Sequence, residues 1–181
     1  MDLEEIIEGC KKGKPKAQKA LYDMFSKRLF GVCLRYCRCR QDAEDVFQEA
    51  FVKVLNKIDK YENIGSFEGW IRRVFVNHAF NYYRYDKRQF QISDNDIDFS
   101  SEDSEDDNYI DDNSLNKILD AIQQLSNQQR IVFNMVEIEG RSYEEVAKLL
   151  DVSQECVRTH NFKAKKKLRS LLTELRTIDK K

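Results

Sequence analysis

Apolar residues recur at three- and four-residue steps along most of the chain. Leu21, Phe25, Leu29, Val32 and Tyr36 form one series. Val46, Phe47, Ala50, Phe51, Val54, Leu55 and Ile58 form a second, and Phe67, Ile71, Val74, Phe75, His78, Ala79 and Tyr82 a third. Such spacing lays one apolar stripe along a helix, and three helices of this kind pack as a small bundle. A short acidic helix over Leu3–Glu8 is expected before them. Asp59 to Ser66 joins the second and third helices, with Gly65 as a breaker.

The last third of the chain is patterned as shorter helices. Leu115 to Leu125 is the first. Ser126 and Gln129 have capping-box spacing for a second that runs to about Ile138, and Gly140 ends it. Ser142 and Glu145 open a short helix through Leu150, Asp151 and Val152 make a tight turn, and Ser153 caps a long final helix. Val146, Ala147, Leu150, Val152 and Val157 are the inward positions of what reads as a helix-turn-helix. The plain alternative is an ordinary helical hairpin. The outer face of the final helix favours DNA. Val157, Ala164, Leu168 and Leu171 share one stripe, whereas Arg158, Thr159, Phe162, Lys163, Lys166 and Arg169 lie opposite. Among those cations Phe162 can press on a thymine methyl, Arg158 can read a guanine edge and the lysines can neutralise phosphates. Residues from Thr173 onward read as a fraying tail.

Composition agrees with helices and redistributes the charge. One proline and six glycines in 181 residues leave few breakers. The fold class expected is all-α: two small helical domains, an N-terminal bundle (1–92) and a C-terminal helix-turn-helix (114–181), joined by an acidic flexible linker (93–113). The net charge of −1 conceals this arrangement. Residues 93–113 hold 10 of the 32 acids and no Lys or Arg, which leaves 22 acids against 31 bases elsewhere. Two basic blocks flanking an acidic one suit a polyanion partner. The segment is too polar to order itself around a core. No apolar run is long enough to span a membrane, and Met1–Cys10 carries four acids and no signal-peptide pattern. A cytoplasmic protein with reduced thiols is therefore expected. The five cysteines form no CxxC pair, and Cys33 and Cys37 stand one helical turn apart near the core stripe. No metal and no cofactor is expected.

The third N-terminal helix has a second face. Arg73, Asn77, Asn81, Arg84 and Arg88 fall within an arc of about 80° at helical spacing. Asn can hydrogen-bond base edges and Arg can hold phosphates. Trp70 falls on that side, where an aromatic can stack on an unpaired base. Phe80 and Tyr83 also point away from the stripe. For each aromatic the competing reading is packing against a neighbouring helix. His78 lies on the apolar stripe and reads as a satisfied core or boundary histidine. Asp45, Gln48 and Glu49 occupy the polar side of the second helix, as a solvated face or a docking face for a basic partner. Phe47 and Phe51 are expected partly in the core.

SYEEVAKLLDVSQECVRTHNFKAKKKLRSLL (142–172) resembles the promoter-reading end of the ECF (extracytoplasmic-function) sigma factors. LSNQQRIVFNMVEIEGRSYEEVA (125–147) fits the same family pattern. DAEDVFQEAFVKV (42–54) resembles the family's polymerase-binding helix, and GSFEGWIRRVFVNHAFNYYR (65–84) its strand-opening helix. The resemblance covers roughly residues 16–88 and 114–172, in the family's order. It implies a transcription initiation factor rather than an enzyme. Such a factor binds core RNA polymerase through the β′ clamp helices and β flap, reads the −35 element as duplex and melts the −10 element. It also implies the site residues: Asp45, Gln48 and Glu49 for the polymerase; Glu62, Asn63, Ile64 and Gly65 as a pocket for a flipped −10 base. Trp70, Arg73, Asn77, Asn81, Arg84 and Arg88 would form the melting face. Ser153, Arg158, Thr159, His160, Phe162, Lys163 and Lys166 would read the −35 duplex. Many members of the family are held silent by an anti-sigma factor. Two positions depart from the pattern: Asn81 stands where Asp is frequent, and Asp151 where Gly is common. Asp tolerates the left-handed geometry of that turn. The alternative is a stand-alone helix-turn-helix regulator with a helical dimerising or sensing domain, for which a strand-opening face has no use.

Overall fold

The computed structural model describes residues 1–84 and 113–178. Arg88 and residues 93–112 of the acidic stretch lie outside the described residues. Every regular element among the described residues is helical. The chain divides into two compact units, Met1–Tyr82 and Tyr83–Lys181, so the all-α, two-domain expectation holds.

The first unit comprises α1 (Leu3–Lys11), α2 (Pro15–Tyr36), α3 (Arg40–Lys57), a 3₁₀ turn (Ile58–Lys60) and α4 (Phe67–Arg84). A reciprocal cap starts α1: the Glu5 amide donates to Asp2 Oδ1 at 2.8 Å, and the Asp2 amide to Glu5 Oε2 at 3.1 Å. Pro15 starts α2, where its missing N–H costs nothing. Gly9 lets α1 meet α2, because a β-carbon there would stand 2.5 Å from Ala17 Cβ. The core is rich in rings. Phe47 meets Tyr22, Phe30, Phe51 and Phe75 with centroids 5.4–6.0 Å apart. Edge-to-face and offset pairs at this range add roughly 0.5–1.5 kcal/mol each beyond burial.

The second unit comprises α5 (Asn113–Gln123), α6 (Asn127–Phe133), a π turn (Asn134–Ile138), α7 (Tyr143–Leu150) and α8 (Gln154–Ile178). Helix α8 packs against α5, α6 and α7. Its apolar side closes a core of Ala121, Ile122, Leu125, Ala164 and Leu168, with Phe133, Ile138, Leu171 and Leu172 around it. Arg130 is fully buried. Its guanidinium donates to the carbonyls of Gln123 (3.2 Å) and Leu125 (3.0 Å) and to Asn127 Oδ1 (2.6 Å). It thereby answers carbonyls that the end of α5 leaves open.

Four expectations need correction. Phe80 is buried, not turned outward with the polar face. The C-terminal half of α4 buries Val76, His78, Ala79 and Phe80 together, an arc wider than one stripe, as when a helix is enclosed on two sides. The stripe includes Tyr82, yet it is 41% exposed in the last turn of α4. At Ser126 the side chain accepts from the Gln129 amide at a long 3.4 Å, so the cap there is one-sided. Helix α8 continues to Ile178, past the point where a tail was expected.

Candidate nucleic-acid and polymerase interfaces

On α3 the side chains of Asp45, Gln48 and Glu49 are exposed, whereas Phe47 is buried and Phe51 half-buried. Gln48 lines a cleft of about 650 Å³ between α2 and α3, walled by Tyr22, Phe30, Phe47 and Phe51. Behind Glu49 stands His78 of α4, which is buried. Its Nε2 is 3.1 Å from Glu49 Oε2, and its Nδ1 is 2.6 Å from Lys53 Nζ. Burial first, then the Lys53 charge, lowers the His78 pKa; Glu49 opposes both. A neutral ring can accept from the ammonium through Nδ1, and so tie α4 to Lys53 of α3 with Nε2 beside the Glu49 carboxylate. The core or boundary histidine of the sequence reading is thus a histidine with two charged neighbours.

The loop before α4 has a defined shape. Asn63 and Gly65 take positive φ (58° and 79°), and the buried Tyr61 donates its hydroxyl to the Gly65 carbonyl at 2.9 Å. Between the two left-handed residues Ile64 projects 81% exposed, and Glu62 is exposed beside it. Tyr61, Phe67 and Trp70 form an aromatic trio with centroids 5.1–5.5 Å apart. Trp70 is therefore half-buried, with the trio at its back, rather than a free ring on the polar side. Arg73, Asn77 and Asn81 are exposed along α4. Arg84 is its last helical residue.

In the second unit Ser142 and Glu145 make the reciprocal cap expected of α7. Asp151 takes the left-handed conformation (φ 59°, ψ 47°) in the turn to α8, so the departure from Gly is accommodated. Ser153 Oγ accepts from the Cys156 amide at 3.1 Å, the expected cap of α8. Beyond it Arg158, Thr159 and Lys166 are exposed, while His160 and Lys163 are half-buried. Phe162 is 67% exposed on a helix whose other side is packed. Burial of a ring that size is worth about 2–3 kcal/mol, which this fold leaves uncollected. An exposed ring among cations can meet a thymine methyl while its neighbours hold phosphates.

The sequence pattern passed over four residues behind that face. Asn161 is buried on α8, where the spacing from Val157 to Ala164 already places it on the inward stripe. It contacts Glu137 and Tyr143, and Lys165 contacts Glu137.

The comparisons agree along the chain. Residues 21–89 match the family model "Sigma-70 region 2" and residues 115–168 "Sigma-70, region 4". The "ECF RNA polymerase sigma-E factor" of Escherichia coli K12 is 30% identical over 170 residues, covering 88% of each chain. The protein of the same name in Haemophilus influenzae is 27% identical over 186 residues, 95% of this chain and 96% of that one. Among solved structures, the sigma factor RpoE in complex with the anti-sigma factor NepR from Bartonella quintana shares the fold. It has a TM-score of 0.52 and 22% identity over 86% of this chain and 96% of that one.

Proposed function

Because the chain belongs to the ECF sigma factors, we propose that its two units divide promoter recognition between them. A sigma factor serves promoter-directed transcription, and that is the function of this chain. In our reading residues 1–92 dock on core polymerase and melt the −10 element, 93–113 tether, and 114–181 read the −35 duplex. Asp45, Gln48 and Glu49 meet the β′ clamp helices, with the second unit on the β flap. The loop Glu62–Gly65 receives an extruded base beside Trp70, and Arg73, Asn77, Asn81, Arg84 and Arg88 hold the opened strand. Ser153, Arg158, Thr159, His160, Phe162, Lys163 and Lys166 face the upstream duplex. The polymerase supplies the chemistry, so the chain is not an enzyme. It works in the cytoplasm, and an anti-sigma partner of the sort named with the Bartonella structure would mask these faces. No helix among the described residues is long and apolar enough to cross a membrane.

The observation that carries this reading is the pair of polar, DNA-suited faces, one per unit: Arg73–Asn77–Asn81 on α4 and Arg158–Phe162–Lys166 on α8. A duplex-only regulator needs the second and has no use for the first. In vitro transcription from a promoter library, with core polymerase and with or without this chain, tests it. Transcripts that depend on the chain are expected. Promoter binding by the chain alone, without polymerase-dependent transcripts, would indicate a stand-alone regulator and end this reading.

A further inference from the structure

Behind the proposed reading face of α8 lies a polar network built on one buried amide. Asn161 is 1% exposed. Its Nδ2 donates to Glu137 Oε1 at 2.7 Å and to the Tyr143 hydroxyl at 3.0 Å. Lys165 Nζ donates to the same Glu137 oxygen at 2.9 Å. The ring of Tyr143 lies beneath the Arg158 guanidinium, whose carbon is 5.7 Å from the ring centroid, within cation–π range. The Glu155 carboxylate stands off from Arg158 at 3.9 Å and is largely exposed. Glu137 belongs to the π turn, Tyr143 opens α7, and Asn161 and Arg158 lie on α8. One buried amide therefore ties three elements together, and its tyrosine partner carries the arginine.

This arrangement bears on how an arginine reads a base pair. Bidentate recognition of guanine needs the guanidinium plane at a set angle. A long side chain free in solvent loses rotamer entropy on reaching that angle, and one already placed on a ring loses less. A ring serves that purpose only if it is itself fixed, and the Asn161 amide fixes the hydroxyl end of Tyr143. We infer that Tyr143 and Asn161 are positioning residues for Arg158, and that they set the discrimination at one base pair of the upstream duplex. The inference rests on reading α8 as the duplex-reading helix.

The test uses the full chain with core polymerase on a promoter library randomised over the upstream element, with the transcripts sequenced. The wild type should show a preference of about tenfold or more at the pair that Arg158→Ala flattens. Tyr143→Leu should reduce that preference to below about threefold and leave the other positions unchanged, because it removes the ring beneath Arg158 and the hydroxyl held by Asn161, and no other side chain of the face. Tyr143→Phe keeps the ring but loses the hydroxyl that Asn161 holds, and should weaken the preference less than Tyr143→Leu does. Asn161→Leu should weaken the same pair. Tyr143→Leu added to Arg158→Ala should have no further effect there. If Tyr143→Leu does not fold, Tyr143→Met takes its place. A uniform loss at all upstream positions, or an undiminished effect in the Arg158→Ala background, would overturn the inference. Wild-type chain that yields no polymerase-dependent transcripts would instead remove the promoter reading beneath it.

Discussion

In the first unit the largest fully buried side chains include Tyr36 and Phe75, and rings meet across α2, α3 and α4. In the second the largest is Arg130, in company with buried Gln128, Gln129, Asn134 and Asn161. His78 is the buried polar side chain of the first unit among the described residues. Apolar burial is non-directional and tolerates small shifts. Buried hydrogen bonds fix angles, and each one stranded costs roughly 1–3 kcal/mol. A surface that docks on a partner and grips single strands can bend slightly without losing its purpose. A helix that must meet base edges at one angle cannot. In the proposed division of promoter recognition, the difference in what the two cores are made of matches the difference in what their surfaces would do.

The comparison can be broken most severely at Arg130. Arg130→Met keeps bulk but strands two carbonyls and Asn127, and should cost about 3 kcal/mol or more at roughly 1–3 kcal/mol per stranded acceptor. Denaturant unfolding should show the second unit melting early while the first is unmoved. A volume-conserving apolar swap in the first unit, at the buried Leu29 (Leu29→Met), should cost less than about 1.5 kcal/mol by the same measurement. Equal costs would erase the contrast. Ser142→Ala removes the cap of α7 and should cost about 1 kcal/mol, read as a shift in the second transition.

The smallest effects are those of pH, and they separate the units by window. His78 has a lowered pKa in the fold. The unfolded chain therefore takes up the proton first, and the stability this contributes is present above about 6.5 and lost as pH falls through the depressed value. Hydrogen bonds from Asn161 and then Lys165 lower the Glu137 pKa. Its contribution is present above the ordinary carboxylate value, about 4.3, and lost only as pH falls through the lower folded one. On acidification the first unit should weaken before the second. His78→Gln and Glu137→Gln should each flatten the corresponding limb of a stability-against-pH curve.

The sequence disclosed the helices wherever one apolar stripe meets one neighbour. The series from Leu21 and the cap at Ser142 are found as read. It misled where a helix is enclosed on two sides, as at Phe80, and where a polar residue is buried for its hydrogen bonds. Hydropathy scores Arg130, Asn134 and Asn161 as surface, because the free energy of burying them depends on partners in other elements. Their spacing held the signal: Asn161 falls in step with Val157, Ala164 and Leu168. The exposed Phe162, Arg158 and Thr159 were legible from the same periodicity, since an outward face needs no partner to be identified. The support behind them was not, because it is made by residues from two helices and a turn.

That turn is a matter of phase. Over Asn134–Ile138 the chain makes one wide π turn, closed by the Glu139 amide on the Asn134 carbonyl at 2.9 Å. A single residue more or less in a helix rotates everything beyond it by about 100°. Deleting one residue here to restore ordinary winding would swing Glu137 away from Asn161 while leaving every contact before the turn in place. The π turn acts as a phase adjuster between α6 and the elements beyond it. One residue's worth of rotation decides whether the carboxylate and the amide meet.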